Sequence, residues 1–104
     1  MTQLTHLAFF RAAPGKGPAL RTALSALVDP TRAESDCLNY DLHQSLDDPD
    51  VWCVYENWTS SLGLEAHMRT PHLQSFLASA PGLLSEAIDL RRYAMISAPA
   101  APAA

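Results

Sequence analysis

The chain has 104 residues, 48% of them hydrophobic and 17% charged. That is enough apolar material for one packed domain, and it excludes both a disordered chain and a two-domain protein. Seven Lys and Arg against eleven Asp and Glu leave a net charge of −4. The bases are scattered, so the phosphate-neutralising stripe of a nucleic-acid binder is missing. No basic leader followed by an apolar stretch opens the chain and no apolar run reaches the ~20 residues of a membrane span, which predicts a cytoplasmic protein with no membrane partner.

Residues 4–10, LTHLAFF, run apolar into the breaker segment Ala13-Pro14-Gly15-Lys16-Gly17, which predicts a first strand and a loop. Pro18 suits a first helical turn, and Leu20, Ala23, Leu24, Leu27 and Val28 then fall on one face of an amphipathic helix. Pro30 ends or kinks that helix, with residues 31–35 available for one more turn. Residues 37–45 and 51–58 are rich in β-formers and flank Leu46-Asp47-Asp48-Pro49-Asp50, the pattern of a hairpin. In such a turn Asp47, Asp48 and Asp50 read as solvated turn formers, not metal ligands. Cys37 and Cys53 read as free thiols packed as small hydrophobes, and two cysteines alone cannot hold a structural zinc.

Hydroxyls at residues 59–61 can cap a short helix running through Arg69, and Thr70-Pro71 restarts it with a cap and a first-turn proline. Leu73, Phe76, Leu77 and Ala80 form its apolar stripe, closed by Pro81-Gly82. Residues 88–96 alternate as a fourth strand. Residues 97–104, an Ala/Pro tail, lack anchoring side chains and are expected to be disordered, which leaves 1–96 as the single domain. The order βαββαβ is that of an α+β, ferredoxin-like fold, an antiparallel sheet with helices on one face. The strands carry apolar residues on both parities, so a second sheet from an identical subunit is expected on the other face, making a homodimer.

The runs CLNYDLHQSLDDPDVWCVYENW and EAHMRTPHLQSF resemble the antibiotic biosynthesis monooxygenase family, in particular its small quinol-monooxygenase-like members. The resemblance extends over residues 4–96 in element order and is specific over 37–76. It implies a dimeric α+β barrel that oxidises a quinol or phenolic substrate with O2, without metal or flavin cofactor. It also implies a pocket between sheet and helices drawn from Asn39, Tyr40, His43, Glu56, Trp58, His67 and His72. The haem-degrading members of the superfamily are less similar. They carry an Asn in the first strand, where this chain has His6 or Leu7, and a haem-ligating His at about Leu77, which cannot bind iron, so no haem is expected. Those enzymes have a pocket-lining Trp where this chain has His67.

Oxidation of a quinol by O2 needs a base to form the electron-rich anion, a donor for the developing charge and an apolar slot. Histidine is the natural base, its ordinary pKa lying near ~6.5. His67 borders the apolar stripe of its helix, and His72 stands at a helix start four residues before Phe76, so either can serve, with Phe76 on the substrate. The hairpin register decides the rest. Pairing Leu46 with Val51 gathers Asn39, His43, Glu56 and Trp58 on one face; pairing Ser45 with Val51 sets Tyr40 opposite Glu56 and Leu38 opposite Trp58, and sends Asn39 and His43 to the dimer face. Glu56 among Val54 and Trp58 needs a partner, either His67 or Tyr40 in a site or Arg91 or Arg92 in structure alone. Trp58 serves as core or as an aromatic wall. Two other functions remain open at this level: a proton-transfer enzyme such as an isomerase acting on a small hydroxycarbonyl compound, and a dimeric module that binds a small molecule without turning it over.

Overall fold

The structure, a computed structural model, describes residues 3–98. Most of the tail expected to be disordered, residues 99–104, lies outside them. Four strands, β1 (Leu4–Arg11), β2 (Cys37–Gln44), β3 (Val51–Trp58) and β4 (Asp89–Tyr93), form one antiparallel sheet in the order β2-β3-β1-β4. Helices α1 (Gly17–Ser25) and α2 (Val28–Arg32) follow β1, and α3 (Ser61–Met68) and α4 (Pro71–Ser79) follow β3, the last passing into a single 3-10 turn at Ala80–Gly82. This is the ferredoxin-like α+β architecture.

Alternation assigns the two sheet faces. Ala8 and Phe10 of β1, Trp52, Val54 and Trp58 of β3 and Tyr40 of β2 are buried with Leu20, Leu24, Leu27, Leu64, Leu73 and Phe76 of the helical layer. Phe10 meets Phe76 edge-to-face at 5.8 Å between ring centroids. The opposite face carries Leu7, Phe9, Val51 and Cys53, all half-buried, and the more exposed Tyr55. A ladder of side chains crosses it: Thr5 donates to Asn57, Asn57 to Asn39, Asn39 to Asp41, and Arg32 to Asp41.

The expected first helix is broken upstream of Pro30, not at it. Pro30 sits in the first turn of α2, where its missing N–H is not needed, and its ring would clash with the carbonyl of Ala26, four residues back. The chain accordingly leaves α1 at Ser25, tightens through Leu27 N–H to Leu24 O (3.1 Å) and resumes with Thr31 N–H to Leu27 O (3.1 Å). β4 is shorter than the run 88–96. Its pairing with β1 runs from Asp89 opposite Phe9 to Tyr93 opposite Thr5 and ends there.

The hairpin adopts the register in which Ser45 meets Val51: Ser45 N–H donates to Val51 O at 2.9 Å. The turn chemistry explains it. Ser45 Oγ accepts from Asp47 N–H and Asp48 N–H, and Asp48 Oδ1 accepts from Asp50 N–H, which spaces the strands by one residue more than the shorter turn would. Tyr40 therefore faces Glu56, Asn39 faces Asn57 and His43 faces Cys53. A bulge between Cys37 and Asn39 brings Cys37, not Leu38, opposite Trp58 and leaves Leu38 exposed.

Candidate active site

Between the helix-covered face of the sheet and α3 and α4 lies a cavity of about 50 Å³, lined on its polar side by His6, Tyr40, Glu56 and His67 and on its apolar side by Phe10, Met68, Leu73, Phe76 and Leu77. Ile88 and the half-exposed Leu90 form its rim. The sheet register produces the polar cluster, because Glu56 of β3 has His6 of β1 on one side and Tyr40 of β2 on the other.

Glu56 is only 3% exposed. A carboxyl group there has to be held by hydrogen bonds. Its Oε1 accepts from Trp58 Nε1–H at 2.8 Å, and His6 Nδ1 lies 3.2 Å from its Oε2. Neither arginine proposed as a partner reaches it: Arg91 pairs with Asp89 at 2.8 Å and sits over the Phe9 ring on the other face, and Arg92 is exposed on the edge strand. His67 and Tyr40 share the cavity with Glu56 without bonding to it. Burial, reinforced by the negative charge of Glu56, pushes the Tyr40 phenol far above its ordinary pKa, so it stays an O–H donor.

His67 is 2% exposed and stacks at 4.8 Å, tilted by 36°, on the Trp58 indole. Its Nδ1 is 2.7 Å from Glu34 Oε2, and the same oxygen lies 2.8 Å from His72 Nε2. With Nδ1 occupied, Nε2 is the ring nitrogen left for the cavity that His67 lines. His72 remains 22% exposed in its side chain and stands behind His67, outside the cavity lining. Phe76 forms part of the apolar wall. Trp58 is fully buried, stacked against His67 and donating to Glu56, and does not line the cavity.

Asn39 and His43 are corrections to the expected pocket. The longer turn places both on the uncovered sheet face, where Asn39 joins the asparagine ladder and His43 Nδ1 approaches Asp41 O at 3.0 Å. The site also contains two residues that sequence reasoning missed. His6 carried a signal, since it shares parity with Ala8 and Phe10 on a strand whose inward face is otherwise apolar. Glu34 carried none, for it lies in the connection after α2 and meets the histidines only through tertiary packing. Leu77, on the cavity wall, offers no metal ligand; among the described residues, Glu34, His67 and His72 are the group that could hold an ion.

This fold, with a polar cluster set in an apolar cavity under the second helix pair, places the chain in a defined class. Residues 4–79 match the family described as antibiotic biosynthesis monooxygenase, and the chain belongs to that family. It is 34% identical over 82 residues, 79% of this chain and 80% of the relative, to the Mycobacterium tuberculosis protein named "Putative monooxygenase Rv0793". Identity to "Putative monooxygenase YcnE" of Bacillus subtilis is 28% over 82% of this chain and 90% of that one. The crystal structure of PA3566 from Pseudomonas aeruginosa superposes with a TM-score of 0.89 at 37% identity, over 93% of this chain and 97% of that one. No helix among the described residues is long and apolar enough to cross a membrane.

Proposed function

We propose that this protein is a homodimeric monooxygenase that oxidises a quinol or hydroxylated aromatic with O2 in the cavity under α3 and α4, with His67 as general base and the substrate itself as reductant. The observation that carries this reading is the state of His67: buried, at the cavity, with Nδ1 anchored on a carboxylate. Such an anchor fixes the ring's tautomer and orientation and leaves the other nitrogen basic. His67 Nε2 takes a proton from the quinol, and the Tyr40 O–H stabilises the oxyanion that results. One oxygen atom of O2 enters the ring, the other leaves as water, and the quinol supplies all four electrons as it becomes a hydroxyquinone. The family resemblance supports chemistry without flavin or metal.

The cavity, about 50 Å³, is smaller than an aromatic bicycle, so a substrate of that size requires lining side chains to move, and Leu90, half-exposed, is the freest of them. No Arg or Lys lines it among the described residues, which counts against a phosphorylated substrate. The test is aerobic incubation with a panel of reduced naphthoquinols, following O2 uptake and quinone absorbance above autoxidation. His67→Ala is expected to lower kcat by 100-fold or more, within the ~10²–10⁴ range of a general base. Glu34→Gln, which loosens the ring without removing it, is expected to lower kcat by roughly tenfold. A wild type no faster than the blank on every quinol would overturn the oxygenase reading; proton exchange into a hydroxycarbonyl compound without O2 uptake would replace it with an isomerase.

A further inference from the structure

We propose that Glu34, His67 and His72 form a binding site for a divalent ion of the zinc class, lying behind the cavity and sharing His67 with it. His67 Nδ1 and His72 Nε2 converge on one oxygen, Glu34 Oε2, at 2.7 and 2.8 Å, and the three donor atoms all lie within 4.8 Å of one another. Two imidazoles and one carboxylate are a donor set suited to zinc, cobalt or nickel, with a fourth position left for water. Magnesium and calcium, which demand six or more oxygen ligands, are poorly served. At metal–ligand distances of about 2.1 Å, tetrahedral donors stand about 3.4 Å apart. The two short edges of the present triangle need to open by about 0.6–0.7 Å, and the edge between the two ring nitrogens, which lies within 4.8 Å, has to settle at the same spacing to admit an ion.

The frame that holds the donors is rigid where it must be. Thr70 caps α4 by accepting from Leu73 N–H, and its hydroxyl donates to the carbonyl of His67 at 2.8 Å, so one residue pins the corner that carries both histidines. His67 is clamped on Trp58. Backbone bonds from Glu34 N–H to Thr31 O and from Cys37 N–H to Glu34 O hold the third ligand's loop. Side-chain exposures of 15% for Glu34 and 22% for His72 leave an entry from solvent.

Proton and metal compete for the same lone pairs. Without an ion each ring donates an N–H to Glu34; with one, each ring gives a lone pair instead and its proton is carried on the other nitrogen. Coordination through Nδ1 therefore converts His67 Nε2 from acceptor to donor. On the oxygenase reading above, an occupied site shuts off the base.

The experiment is calorimetric titration of metal-free protein with Zn2+, and with Co2+ followed by visible absorption. One ion per chain is expected, with the intense d–d bands of low-coordinate Co2+. Glu34→Ala and the partly exposed His72→Ala are each expected to weaken Zn2+ binding at least tenfold, while His43→Gln on the far face leaves it unchanged. No saturable binding, or binding that neither Glu34→Ala nor His72→Ala weakens, overturns the site. These readouts need no turnover, so they succeed or fail separately from the oxygenase assignment.

Discussion

Glu56 shows how a single buried residue is tied to its neighbours. Its Oε1 accepts from the buried Trp58 Nε1–H at 2.8 Å, while the buried His6 Nδ1 stands 3.2 Å from its Oε2 without a hydrogen bond, so removing the carboxyl orphans the indole N–H and takes the nearby charge from His6. The orphaned indole costs about 1–3 kcal/mol. Glu56→Leu is expected to lower the unfolding free energy by about that amount, read as a lower urea midpoint at unchanged slope, whereas Glu56→Gln, which keeps an acceptor for the indole, loses less than half as much. Cys37 makes a second case. Burial and the nearby charge of Glu34 push its thiol up to about 11, which depletes the reactive thiolate at neutral pH. Alkylation of native Cys37 at pH 8 is expected to run roughly 100-fold slower than in the unfolded chain and to accelerate as pH rises toward that value. A rate equal to the unfolded chain's would show that the thiol is not held as described.

At the level of elements, the site depends on how closely α3 approaches the loop that carries Glu34. Gly63 allows this approach: a Cβ built there would stand 2.6 Å from Asp36 Cβ. Asp36 is itself fixed, its carbonyl accepting from Thr59 N–H at 3.0 Å and its carboxylate from the Thr59 hydroxyl. Gly63 lies one turn before His67 on α3, so an added methyl drives the helix and the loop apart and stretches the Glu34 to His67 contact. Gly63→Ala, which raises intrinsic helix propensity, is nevertheless expected to destabilise the fold by about 1–3 kcal/mol. The same variant should lower quinol turnover to the level of Glu34→Gln. Stabilisation with unimpaired turnover would refute this account of α3.

Over the whole molecule, the sheet remains covered on one face only. Leu7, Phe9, Val51 and Cys53, half-buried in a single chain, lie together on the other with the exposed Tyr55, and burying them at ~25 cal/mol per Å² favours association. Sedimentation equilibrium at micromolar concentration is expected to give twice 11.3 kDa. Leu7→Lys, placing a charge at the centre of that face, should give the monomer mass while leaving the cavity side of β1 unchanged. A wild-type monomer would exclude this mode of assembly.

Element order and the helix-facing stripe of Leu20, Leu24, Leu73 and Phe76 were legible in the chain because they rest on local periodicity, capping and turn chemistry, which act over a few residues, and the family kinship was legible in the runs of residues 37–58 and 65–76. The candidacy of Tyr40, Glu56 and His67 for the cavity came with the family resemblance, which names the pocket positions without fixing the sheet register. The hairpin register was not legible, because a one-residue difference in the turn reverses the face of every residue in β2, and Asn39 and His43 moved with it. Nor were the partnerships: His6 reaches Glu56 across β1 and β3, and Glu34 reaches His67 across a separation of 33 residues. Contacts of that kind are set by how layers pack once the chain is closed, and no spacing along the chain encodes them.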